Sequence, residues 1–148
     1  MIKNYTSAVP IERTIMRIEF ALINGGAIGI MKNYTDGQLE AISFQIPSPE
    51  KRLLAIRLPA NVPAVYDVLR KAMKRPRAES LKRLQVQAAR TAWKLVQDWV
   101  EIQMAMVKMQ QAELTQVFLP YMWDGKQTLY MAYKANNFKQ LAGPKDHD

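Results

Sequence analysis

Between Pro10 and Asn24 the apolar residues Ile11, Ile15, Ile18 and Leu22 recur at i, i+4, i+7 and i+11, while Glu12, Arg13, Arg17 and Glu19 fall off that stripe. The spacing predicts an amphipathic helix, opened by Pro10 in its first turn and stopped by Asn24-Gly25-Gly26. Three shorter segments follow, about 27–34, 39–46 and 52–58, divided by Asp36-Gly37 and by Pro47-Ser48-Pro49. In the second, Ile42, Phe44 and Ile46 alternate with Ala41, Ser43 and Gln45; in the third, Leu54, Ile56 and Leu58 alternate with Leu53, Ala55 and Arg57. A period of two residues is that of a strand with one face turned inward, so the region reads as an antiparallel meander. Past Pro59, Asn61 is placed to cap a helix reaching about Lys74, with Val62, Val65, Val68 and Leu69 on its apolar side.

The second half has a different texture. From about Ser80 to Leu114 there is no Gly or Pro, and most residues favour helix. A continuous helix over that stretch would be about 50 Å long, so it calls for a kink or a protruding arm. Its apolar residues from Trp93 to Met109 cover more than one stripe, which makes the helix either central or shared with a partner. Trp99, Met104, Met106 and Met109 are the candidate partner face, the methionines serving either as an adaptable surface or as core filler. Then come Val117-Phe118-Leu119-Pro120-Tyr121-Met122-Trp123, the turn dipeptide Asp124-Gly125, and Thr128 opening a last short helix to about Asn137. The whole predicts one α+β domain over 1–142, with 143–148 as a frayed tail. An N-terminal helix, a three-stranded antiparallel meander and a helix form an α-β-β-β-α half at about 8–75. A long helix and a short C-terminal helix form the other half, at about 79–140.

Composition narrows the function classes. At 148 residues, with 49% hydrophobic and 23% charged, the chain can bury one core and lies away from the disordered regime. It has no cysteine, which excludes disulfides, thiolate metal sites and a cysteine nucleophile. The single histidine, His147, stands next to last, which leaves no Ser-His-Asp arrangement and no histidine metal site. No uninterrupted apolar run reads as a signal peptide or a membrane span. Gly25-Gly26-Ala27-Ile28-Gly29 follows a helix and precedes a strand, the wrong order for a phosphate loop. Arg90, Lys94, Asp98 and Glu101 share a helix face as a charged stripe; a metal reading of Asp98 and Glu101 has no supporting third ligand. No catalytic residue, metal or cofactor is assigned.

The formal net charge is +8, a balance that favours polyanionic or acidic partners. Arg70, Lys71, Lys74, Arg75, Arg77, Lys82 and Arg83 face only Glu79 in the same stretch, so seven cations and one carboxylate leave six of the eight net charges there. Pro76 biases Arg75 away from helical geometry, so Lys74-Arg75-Pro76-Arg77 should be an exposed loop between two helices. Phosphate is its natural ligand, and a solvated hinge is the competing reading. Tyr34, Tyr121 or Trp123 could stack single-stranded bases beside those cations, or could pack the core.

At Arg90-Thr91-Ala92-Trp93, Asp98-Trp99-Val100-Glu101, Val117-Phe118-Leu119-Pro120-Tyr121, Asp124-Gly125 and Thr128-Leu129-Tyr130, the sequence resembles a family of short bacteriophage and prophage proteins of no assigned activity. The resemblance implies a mobile-element protein acting in a bacterial host cytoplasm, of the kind that binds nucleic acid or redirects host machinery. The α-β-β-β-α order also resembles the core of single-strand annealing proteins, a likeness of element order alone. These readings lead to a non-enzymatic nucleic-acid-binding accessory protein using the seven cations, with Tyr121 and Trp123 assisting. The alternative is a protein-interaction factor whose Trp99 and methionine face meets a host or phage protein or a second copy of the chain. A carboxylate metalloenzyme built on Asp98 and Glu101 comes third.

Overall fold

The computed structural model describes residues 8–145, and their architecture is α+β. Helix α1 (Ile11–Asn24) leads into strands β1 (Ile28–Thr35), β2 (Gln38–Pro47) and β3 (Leu53–Pro59). Helix α2 (Val62–Lys71), the long helix α3 (Ala78–Lys108), a short helix α4 (Leu114–Phe118) with a 3-10 turn at Leu119–Tyr121, and helix α5 (Leu129–Ala135) complete the chain. The three strands form one antiparallel sheet in the order β1-β2-β3, as the alternation required.

The expected stripes are the buried ones. Ile15, Ile18 and Leu22 of α1, Ile42, Phe44 and Ile46 of β2, and Ile56 and Leu58 of β3 enter one core with Trp93 and Val100 of α3 and Phe118 of α4. Helices α1 and α2 both pack against α3, so both halves of the chain close over the same apolar volume. Phe44 and Phe118 meet edge to face with ring centroids 5.1 Å apart, and Trp99 meets Phe118 at 5.9 Å and Tyr121 at 5.6 Å. This geometry suits the opposed charges of ring edge and ring face.

Local signals account for most boundaries. The Asn61 side chain accepts the Ala64 N–H at 3.1 Å, and the Thr128 hydroxyl accepts the Met131 N–H at 3.2 Å, each satisfying an orphan donor at a helix start. Gly26, at φ 105, reverses the chain after α1 while Ala27 N–H reaches back to the Leu22 carbonyl at 2.9 Å.

Two expectations are corrected. First, α2 stops at Lys71 rather than Lys74, and its Val68 is 52% exposed while Tyr66 packs against the core instead. Second, the helix expected from Ser80 to Leu114 ends at Lys108. Gln110 turns left-handed at φ 62 and Gln111 N–H bonds the Met106 carbonyl at 2.9 Å, closing the helix with the usual left-handed motif but without glycine. Glu113 and Gln116 then form a reciprocal capping box that starts α4. Of the two alternatives for the long helix, a kink or a protruding arm, the second holds: α3 is one unbroken helix of 31 residues, about 46 Å long, with no buried residue before Ala88. Of the expected tail, residues 143–145 are exposed, and the remainder, with His147, lies outside the described residues.

Trp93 is 1% exposed at the centre of this packing, so Trp93→Ala should lower the unfolding free energy by about 3–5 kcal/mol in urea titration. Val68→Ala, on the solvent side of α2, should stay within about 0.5 kcal/mol of the parent.

Candidate functional site

The seven cations gather where α2 hands over to α3. Ala72 ends α2 in helical geometry, and Met73 N–H still bonds the Arg70 carbonyl at 3.1 Å. Proline at the next position denies Arg75 the helical region, and Arg75 takes φ 53 in the left-handed region, which reverses the chain. Arg77 is extended and opens α3 with no side-chain cap, its carbonyl accepting the Leu81 N–H at 3.0 Å. From Arg70 to Gln87 no residue is fully buried, so this helical hairpin ends in a tip beyond the core.

Lys71, Lys74, Arg75, Arg77, Lys82 and Arg83 are exposed and Arg70 is half-buried. Among the described residues none of the seven pairs with a carboxylate. Arg70 and Lys71 lie in the last turn of α2, where the helix dipole favours cations. Arg77 lies at the positive end of α3, where it does not, and only Glu79 in the first turn opposes it. An anion placed among these groups would relieve their mutual repulsion and bond the unpaired guanidiniums.

Tyr121 and Trp123 are elsewhere. Tyr121 packs on Trp99, which lies 22 residues along α3 from Arg77, about 33 Å of helix axis. Trp123 follows the 3-10 turn, where its N–H donates to the Ala55 carbonyl at 2.9 Å and extends the open edge of β3. Its ring lies against the Arg57 guanidinium, 5.0 Å from the centroid, and Arg57 also reaches Glu40 at 3.4 Å. Tyr34 is 62% exposed on β1 and lines a groove that Gln85 and Val86 of α3 also line, two and three residues past Arg83. The structure therefore does not bring Tyr121 or Trp123 together with the cations. Of the candidate partner face, Trp99 and Met104 pack against the core, Met106 is half-buried, and Met109 is 71% exposed at the helix end.

Two arrangements had no sequence signal. One is the Trp123–Arg57–Glu40 cluster, which joins residues far apart in the chain. The other is a groove of about 570 Å³ between α1, the β1–β2 turn and α3, lined by Ile15, Leu39, Ala89 and Trp93 and by Lys32 and Glu19, which pair at 3.3 Å. On α3, Lys94 of the charged stripe pairs with Asp98 at 3.4 Å, and Glu101 accepts a hydrogen bond from the buried Gln97 amide at 2.7 Å. Among the described residues no three metal-ligating side chains converge.

We compared the chain with models of known protein families, with curated proteins and with solved structures, and none matches.

The Asp124 carboxylate accepts the backbone N–H groups of Gln127 at 2.9 Å and Lys126 at 2.8 Å, and these bonds hold its pKa below the ordinary carboxylate value. A depressed carboxylate stabilises the fold above its unfolded pKa and loses that contribution as pH falls through the folded value. The stability difference between the parent and Asp124→Ala should thus be constant from about pH 7 to 5 and shrink below about pH 4. Urea midpoints across that range would check it.

Proposed function

We propose that this chain is a non-enzymatic nucleic-acid-binding accessory protein, of the short phage or prophage kind its motifs resemble, working in a bacterial cytoplasm. The observation that carries the reading is the α2–α3 tip: seven cations on one helical hairpin, six of them exposed, none with a carboxylate partner among the described residues. Clustering like charges at the end of a helix pair raises the free energy of the unliganded protein, and phosphates remove that repulsion on binding. Arginine forks bond phosphate oxygens in pairs, while lysines add point charges that tolerate any register along a backbone. The tip stands clear of the core, so it can approach a bulky polyanion without refolding.

A protein-interaction role is the second reading. It is favoured by an exposed apolar row on α1, Met16, Phe20 and Ile23, more than by the tryptophan and methionine face of α3, where Phe118 and Tyr121 pack on Trp99 and Met104 packs against the core.

The test is fluorescence anisotropy of a labelled oligonucleotide with the parent and with the combined variant Arg75→Ala, Arg77→Ala, Lys82→Ala, Arg83→Ala. At about 100 mM salt the variant should bind at least about tenfold more weakly, while its thermal midpoint holds because all four residues are exposed. Equal affinities of parent and variant would contradict the assignment.

A further inference from the structure

Helix α1 carries a second apolar stripe besides the one that enters the core. Met16, Phe20 and Ile23 are 48%, 58% and 55% exposed, although each is a large side chain that burial would stabilise. At about 100° per residue, Phe20 and Ile23 lie within about 40° of Met16 around the helix, so the three form one row. The buried residues Ile15, Ile18 and Leu22 are centred about 130° away from it, so the row points away from the core.

The two flanks of the row carry opposite charges. By the same geometry Glu12 and Glu19 lie about 40–60° to one side of Met16, and Arg13 and Arg17 lie about 60–100° to the other. Glu19 is tied to Lys32 at 3.3 Å, and among the described residues Glu12, Arg13 and Arg17 have no ion pair. An apolar row with acids on one side and bases on the other is complementary to itself under one symmetry operation. When two copies of α1 lie parallel, related by a two-fold axis that runs along them, each acidic flank faces the basic flank of the other copy. Glu12 then stands one residue from the level of Arg13 of the second copy, and Glu19 two residues from that of Arg17. Antiparallel helices would set acid against acid and base against base. An unrelated partner would have to bring the reversed charge pattern on a matching apolar row, whereas a second copy brings it by symmetry.

We propose that the α1 row is a homodimer contact in which two copies of the helix pack in parallel about a two-fold axis. This rests on the reading of the row as an interaction surface, names its partner, and stands apart from what the basic tip binds. Ile11 and Glu12 at the start of α1 share a groove with Gln85 and Val86 of α3, and Gly25 just past its end lies against the Met104 side chain, so α1 and α3 run side by side in the same direction. The parallel arrangement therefore sends both basic tips out at the same end of the dimer, where an antiparallel one would set them at opposite ends. Three half-exposed side chains on a helix about 21 Å long make a contact at the small end of specific interfaces, so association is in the micromolar range.

Sedimentation velocity of the full chain between about 5 and 500 µM should show a concentration-dependent dimer, and Phe20→Glu should weaken it at least about tenfold while the thermal midpoint holds, because Phe20 is exposed. The chain has no cysteine, so single introduced cysteines report the orientation. In a parallel pair every residue of the row faces its own counterpart, so Met16→Cys and Ile23→Cys should each link to itself under mild oxidation. Val68→Cys, on the solvent side of α2, should not. A chain that stays monomeric across the range would overturn the inference, as would a dimer that Phe20→Glu leaves intact. Self-linking by Phe20→Cys with none by Met16→Cys or Ile23→Cys would overturn the parallel arrangement. The combined tip variant leaves α1 untouched, so loss of the dimer and loss of oligonucleotide binding are separate results.

Discussion

The fold depends on the burial of one segment of α3, Ala88 to Val100, against everything else in the molecule. In that segment Ala88, Thr91, Ala92, Trp93, Gln97 and Val100 are buried, and on either side of it α3 has no fully buried residue. A two-layer α+β sheet protein needs an apolar surface that covers its inner face, and here the middle of one helix, flanked by α1 and α2, provides it. Because side chains within that layer interdigitate at near-crystalline density, the position of α3 along its own axis is fixed by Trp93 and by the Phe118–Trp99–Tyr121 stack. Beyond that segment only Leu84 and Met104 of α3 touch the core, each half-buried.

That division explains where the charge is. At the N-terminal end, residues 78–87 and the last turn of α2 form a hairpin with solvent on most sides, where cations keep their hydration and carry no desolvation penalty. Inside the core the same seven charges would be untenable without partners. The C-terminal end is handled differently: Phe118 of α4 and Tyr121 of the 3-10 turn fold back on Trp99, and Met122 adds a short bridge to β3. One end of the helix is therefore sealed by its own chain and the other is exposed and basic. The functional assignment follows from that asymmetry more than from any single residue.

The parts of the fold set by short-range physics were legible in the sequence. The α1 stripe, the two alternating strands, the Asn61 and Thr128 caps and the Pro76 interruption each announce themselves within a few residues, and each stands within a residue or so of its expected place. The end of α3 was not legible, because Gln110 rather than glycine takes the left-handed position and the capping box opens on Glu113 rather than on serine or threonine. The roles of the aromatic residues were hidden for a different reason. Tyr121 and Trp123 sit near a turn in the sequence, but their partners, Trp99 and Arg57, are set by how the C-terminal segment docks, which no local period encodes. The basic tip lies between these cases: its charge and its loop were readable, and the placement of Tyr34 in one groove with Gln85 and Val86 was not.

The tip, and no other surface, is the proposed contact with the polyanion. Mapping amide chemical shifts in nitrogen-15 labelled protein during titration with a short oligonucleotide tests this most directly. Perturbations should be confined to residues 70–84, with Arg75 and Arg77 among the largest. Perturbations centred instead on Arg57 and Trp123 at the sheet edge, or on the groove lined by Trp93, would contradict it.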